Sequence, residues 1–157
     1  MELMIVIVII GILSTVGMVM FGGQSEKAKI AAAKSNHKSV VKYISAEVMK
    51  CELGETSVMD GELLCSNANI GINIVDAALR NANTSQTLST IKNPYVTKVL
   101  SLRKHSGHST GADADVGYIN VGGHNTIPLV QVYGCVALKC DPTVNRIWVN
   151  LCFQTSC

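Results

Sequence analysis

The stretch LMIVIVIIGILSTVGMVMF, residues 3–21, decides how this chain is read. It runs for 19 residues without a charge, and one carboxylate, Glu2, stands at its outer end behind Met1. As an α-helix rising about 1.5 Å per residue, it matches the roughly 30 Å hydrocarbon core of a bilayer. The expected organisation is therefore an apolar transmembrane or filament-core helix over residues 1–23, followed by a head over residues 24–157. A charged side chain costs on the order of 2.5–3.5 kcal/mol at the centre of a bilayer and less near its edge, so Glu2 calls for a compensating partner. The segment lacks the basic stretch and the small-residue cleavage pattern of a secretory signal, which predicts that it is retained.

Beyond the apolar run, the rest of the chain has the size of one small domain. The formal net charge is +2, the sequence pI is about 8.2, and 15% of residues are charged, so no strong field for nucleic acid or anionic lipid is implied. All six cysteines, Cys51, Cys65, Cys135, Cys140, Cys152 and Cys157, lie beyond the apolar segment. An even number suits disulfides made in an oxidising compartment, placing the head outside the cytoplasm. Zinc is the competing use of cysteine, but no CxxC pair occurs and the four histidines are not at ligand spacing from the cysteines.

The opening MELMIVIVIIGIL resembles the amino-terminal segment of type IV pilins, in which a glutamate is followed by an unbroken apolar helix. The likeness is dense over about the first 17 residues, and it points to a type IVa-like major pilin. Relative to the family's usual Phe-Thr-Leu-x-Glu start, Met1 falls on the variable position before the glutamate. The leader and first three mature residues are thus not in this sequence, and Met1 is read as an internal methionine. The resemblance implies that Glu2 neutralises the terminal amine of a neighbouring subunit as it enters the filament. A carboxylate at a helix N-terminus is otherwise favoured by the helix dipole alone, by a few tenths to about 1 kcal/mol. By the same resemblance, Leu3, Ile5, Gly11, Gly17 and Phe21 join Glu2 as assembly residues. Family members often carry a proline near the end of the run. Val19 stands there in this chain, and the first proline is Pro94. Gly11, Gly17, Gly22 and Gly23 each weaken a helix by roughly 1 kcal/mol relative to Ala, so local unwinding in a filament is expected.

From residue 24 to 50 the pattern becomes amphipathic, with Ile30, Ala33, His37, Val41, Ile44, Val48 and Cys51 on one helical face. This stripe is expected to dock on the head, with His37 a packed, hydrogen-bonded histidine rather than a ligand. Lys27, Lys34, Lys38 and Lys42 fall on an adjoining face, read as solvated, with acidic residues of a neighbouring subunit as the other possible partner. Cys51 and Cys65 flank a polar loop, and a bridge between them is worth roughly 3 kcal/mol in the chain-entropy picture. Residues 73–81 predict a short helix with Ile74, Ala77 and Ala78 inward, followed by a polar linker over 81–89. Asn83-Thr84-Ser85 fits a glycosylation sequon, a triplet common by chance.

Beyond Pro94 the sequence reads as four antiparallel strands, 96–103, 116–121, 127–138 and 146–153, separated by Gly, Asp and Pro. A turn centred on residues 141–145 brings Cys135 near Cys152 and leaves Cys140 near Cys157. The exchanged arrangement, Cys140 with Cys152 and Cys135 with Cys157, staples the same region, and the sequence leaves both open. The fold class expected is α+β: a long N-terminal helix packed on a four-stranded antiparallel sheet and stapled by disulfides, which resembles the type IV pilin fold as a whole. Asn93-Pro94-Tyr95 is also similar to a loop before the sheet in some pilins.

The loop over residues 103–117, RKHSGHSTGADADVG, gathers polar side chains, yet His105 and His108 lack a third metal ligand. Asp113 and Asp115 alternate as calcium ligands can, without the EF-hand pattern. No nucleophile elbow, phosphate-binding glycine loop or haem-attachment motif occurs, so neither enzyme activity nor a cofactor is expected. The expected function is a structural subunit of an extracellular pilus. Its partners are further copies of itself in a helical homopolymer, the pilus assembly machinery, and the inner membrane, which holds it with a periplasmic head before assembly. Adhesion, twitching motility and DNA uptake all remain open as uses of the fibre, with DNA or a surface ligand as a possible partner. The rivals are a pseudopilin of type II secretion and a DNA-binding minor pilin using Arg103, Lys104, His105, Lys92 and Lys98.

Overall fold

The computed structural model describes residues 2–84, 86–96, 98–105, 115–138, 140 and 144–153, without the side chains of residues 2, 3, 16–22 and 86. One helix, α1 (Glu2–Glu52), runs unbroken for 51 residues, about 77 Å at 1.5 Å per residue. It passes through Gly11, Gly17, Gly22 and Gly23 without a break, so the expected unwinding is not a property of the isolated chain. Its second half buries Ala33, His37, Val40, Ile44, Glu47 and Val48. That is close to the predicted stripe but turned, so that Val40 and Glu47 lie inside and Val41 is only half-buried. Lys27, Lys34, Lys38 and Lys42 are all exposed.

The chain then forms a two-stranded hairpin, β1 (Ser57–Val58) and β2 (Leu63–Leu64), a short 3-10 turn over Cys65–Asn67, α2 (Gly71–Thr84) and α3 (Gln86–Ser89). Helix α2 outruns the predicted segment at both ends, and most of the expected polar linker over 81–89 is helical. The cause is tertiary: Asn81 and Ala82 are buried and extend the inward face of Ile74, Val75, Ala77 and Ala78 by one turn.

A four-stranded sheet follows in the order β3 (Leu102–Lys104), β4 (Ile119–Gly123), β5 (Leu129–Cys135), β6 (Arg146–Cys152). The pairs β4·β5 and β5·β6 are antiparallel, as expected, but β3 runs parallel to β4, so the sheet is mixed. A parallel pair needs a crossover of a dozen or more residues, and residues 105–118 between the two strands supply it. The predicted first strand is also cut to three residues, because Lys98 adopts a left-handed φ of 69° that breaks the extended run.

The inner face of the sheet, from Leu102, Ile119, Val121, Val130 and Val132, shares one apolar core with Val40, Ile44 and Val48 of α1 and Ile74, Val75 and Ala78 of α2. Gly71 and Gly123 let the start of α2 lie backbone to backbone on the end of β4. A side chain at Gly123 would overlap the main chain of Gly71 and Ile72, and one at Gly71 the main chain of Leu129 and His124. The Gly71 amide donates to Ile127 O at 2.9 Å and the Ile72 amide to His124 O at 3.1 Å across this contact.

Cys51 and Cys65 are bridged as expected, with Cα atoms 5.3 Å apart. The remaining pairing corrects both predicted arrangements: Cys135 bonds Cys140, with Cα atoms 5.7 Å apart. Register is the reason. Cys135 faces Arg146 and Leu129 faces Cys152, so Cys135 and Cys152 sit at opposite ends of the hairpin, about 20 Å apart at 3.3 Å per residue. Cys152 is itself disulfide-bonded, and Cys157 lies outside the described residues.

Candidate functional site

The sequence places its candidate site on the first half of α1, and the geometry there is unusual for a folded chain. Met4, Ile5, Val6, Ile7, Val8, Ile9, Ile10, Ile12 and Leu13 are each between 51% and 70% exposed. These positions go right round the helix, so no face of this segment packs on the head. A helix that is apolar all round belongs in an apolar surrounding. The two hydroxyls in this stretch are consistent with that surrounding. Ser14 Oγ donates to Ile10 O at 2.7 Å and Thr15 Oγ1 to Ile12 O at 2.8 Å, so both are satisfied within the helix and ask nothing of a neighbour. Gly11 meets no atom within 4 Å of an added Cβ, leaving a flat, open spot on the surface. The side chains of Glu2, Leu3 and Phe21 are outside the described residues; like Gly17, these positions are helical in backbone. Among the described residues no helix is long and apolar enough to cross a membrane, and the described apolar side chains stop short of residue 16.

The place where α1 leaves the head is held by polar contacts that periodicity does not reveal. Tyr95 Oη donates to Val136 O at 2.8 Å and reaches Glu26 Oε1 at 3.1 Å, while Lys29 Nζ lies 5.6 Å from the centre of the Tyr95 ring. Burial first, and Glu26 second, push the Tyr95 phenol up to about 12, so it stays a neutral donor. Asn93, 3% exposed, shapes this loop: its Nδ2 donates to Val116 O at 3.0 Å, and its Oδ1 accepts from the Tyr95 amide at 2.8 Å. Asn36 Nδ2 donates to Lys92 O at 2.9 Å further along α1.

His37 is 2% exposed and its Nε2 lies 3.2 Å from Val132 O, the packed role expected of it. Burial lowers its pKa below 6.5, against the smaller opposite effect of the Val132 carbonyl. Unfolded chains therefore take up the His37 proton first as pH falls. Its contribution to stability is complete above pH about 6.5 and is lost as the pH drops through the lower folded value, with a slope of at most about 1.4 kcal/mol per unit. Thermal unfolding of the full chain followed between pH 7.5 and 5 is expected to show this loss, and His37→Leu to flatten it. An unchanged slope in the variant would remove His37 as its source.

At the far end of α1, Glu47 pins the disulfide loop. Its Oε2 accepts the Met59 amide at 2.6 Å, and its other oxygen is ion-paired with Lys50. Met59 and Asp60 adopt left-handed φ values of 55° and 57°, completing with Gly61 the turn of the β1–β2 hairpin, and the Met59 side chain is fully buried. Asn81 Nδ2 holds the same turn, donating to Met59 O at 3.1 Å and Asp60 Oδ2 at 2.9 Å. Burial first, then the negative charges of Glu47 and Asp60, push the nearby Tyr43 up to about 12. A carboxylate on a buried helix face is the one local hint of this clasp, and hydropathy spacing does not single it out.

The polar loop's candidate ligands do not converge among the described residues. Arg103 is ion-paired with Asp115, while the His105 ring hydrogen-bonds Tyr133 Oη. His108 and Asp113 lie outside the described residues, and among those described no group of three or more metal-ligating side chains occurs. Asn83 is exposed on α2 and donates through Nδ2 to Leu79 O at 2.9 Å; Ser85 of the sequon lies outside the described residues.

No protein-family model, curated protein or solved structure matches this chain.

Proposed function

We propose that this chain is a structural subunit that polymerises through its N-terminal helix into an extracellular filament of the type IV pilus kind. The observation that carries the reading is the all-round apolar exposure of residues 4–13 on a helix continuous with the core of the head. Water is a poor surrounding for that surface, since burying apolar area gains roughly 25 cal/mol per Å². A bilayer before assembly and a bundle of like helices afterwards both supply an apolar one. In such a bundle Ile5 and Gly11 lie against neighbouring copies, Gly11 where backbones approach most closely, with Leu3, Gly17 and Phe21 extending the same contact along the helix. Glu2 meets the positive terminus of the next subunit. The inner membrane and the assembly machinery are the partners of the subunit before it joins.

The test is Glu2→Ala in the full-length precursor, with electron microscopy of sheared surface material. Long fibres built chiefly of this chain are expected from the parent and none from the variant, with subunit levels in the membrane fraction unchanged. Normal fibres from the variant would sink the role of Glu2, and absence of fibres from the parent would favour a short periplasmic assembly of the pseudopilin type.

A further inference from the structure

The outer face of the sheet carries an aromatic platform that filament assembly through α1 does not use. Tyr133 on β5 and Trp148 on β6 are direct cross-strand partners. Their rings stack with centroids 5.4 Å apart and planes 21° from parallel. Tyr133 is 4% exposed and sits under the cluster, with the His105 ring edge-on at 5.0 Å, whereas Trp148 is 50% exposed on an edge strand. The indole is fixed in orientation: its Nε1 donates to Asn150 Oδ1 at 2.7 Å, two residues along the same face. This bond leaves the Asn150 amide nitrogen as a donor beside the ring, and Gln131, opposite Asn150 in register, adds a second amide to the same face.

Among the described residues, the cations of the region are already engaged. Arg103 pairs with Asp115, donates through Nε to Asn120 Oδ1 at 2.7 Å, and lies over the Tyr118 ring at 4.3 Å. Lys104 pairs with Asp76 at 2.6 Å. Arg146 lies 6.0 Å from the Tyr133 ring and has a further partner. A nucleic acid strand needs free cations for its phosphates as well as rings for its bases, and among the described residues each cation near this face, Arg146 included, already has a partner. A fixed aromatic plane flanked by neutral amides suits a neutral ligand with an apolar face and hydroxyl groups at its rim. We infer that Trp148, Asn150 and Gln131 form a binding platform for a neutral saccharide, whose C–H face stacks on the open side of the indole while its hydroxyls bond the two amides. The inference is independent of polymerisation, so its failure leaves the assembly reading standing.

Trp148 is the chain's single tryptophan, so intrinsic fluorescence reports on this platform alone. The experiment titrates the full chain, in a detergent without a sugar head group, with lactose, maltose and cellobiose, and separately with an oligothymidylate at low and high salt. A saturable change with at least one disaccharide, insensitive to salt, is expected, and Asn150→Ala, which keeps the reporter, is expected to weaken it about tenfold. Trp148→Ala, read by calorimetry and checked by circular dichroism, is expected to abolish binding. No response to any of the three sugars, a response unaltered in Asn150→Ala, or a response to the oligonucleotide alone that fades with salt would each overturn the proposal.

Discussion

Ile9→Asp is expected to abolish fibres while leaving both the head and the membrane association of the subunit intact. Ile9 is 51% exposed in the isolated chain and contacts nothing in the head, so the unfolding temperature of the head has no reason to change. The apolar run contains twelve Leu, Ile, Val or Phe residues. At about −0.3 to −0.6 kcal/mol each they favour insertion by roughly −4 to −7 kcal/mol, and one mid-helix Asp at about +2.5 to +3.5 does not reverse that balance. A helix alone in a bilayer can also shift and draw in water around the charge. A helix packed among identical neighbours has no such freedom, and every copy brings its own unpaired carboxylate into the core. Membrane fractionation and electron microscopy of the same cells read both halves of the expectation; fibres at normal abundance would refute it.

The second large effect contrasts one substitution at two sites on the same helix. Ile44 is fully buried in the core shared by α1, α2 and the sheet, and Ile44→Ala is expected to destabilise the head by about 2–5 kcal/mol. For a domain of this size that lowers the unfolding midpoint by on the order of 10 °C. Ile9→Ala removes the same atoms 35 positions earlier, where nothing packs, and should change the midpoint of the detergent-solubilised chain by less than about 0.5 kcal/mol equivalent. Circular dichroism melts of the two variants decide the matter. Equal shifts would mean that the two halves of α1 are not physically distinct.

That distinction is largely legible in the sequence, because it depends on hydropathy along a single helix. An uncharged run and then a 3.6-residue apolar period mark where α1 stops being apolar all round and begins to present one face. The inward face of α2 and the Cys51–Cys65 bridge are equally local: the first follows from spacing, the second from a short loop with few alternatives. Strand positions are close for the same reason, although β3 is shorter than its apolar run, because one left-handed residue, Lys98, leaves no trace in a hydropathy pattern.

Long-range register is a different kind of information. Whether β3 runs parallel or antiparallel to β4 depends on the path of the crossover, and the alternation of side chains is the same for either direction. Cys135 pairs with Cys140 because the β5–β6 ladder puts Arg146, not Cys152, opposite it. Moving the turn by a few residues is enough to exchange one pairing for another.

By itself, then, the sequence determined an apolar helix with one carboxylate at its edge, an amphipathic continuation and a cysteine-rich, strand-bearing head, since each is a property of neighbours along the chain. The tertiary structure alone decided the mixed sheet, the Cys135–Cys140 bridge, the Glu47–Met59 clasp, the Tyr95–Glu26 contact where α1 leaves the head, and the Tyr133–Trp148 platform. Each of these depends on the packed register of helix and strands, which no run of neighbouring residues encodes.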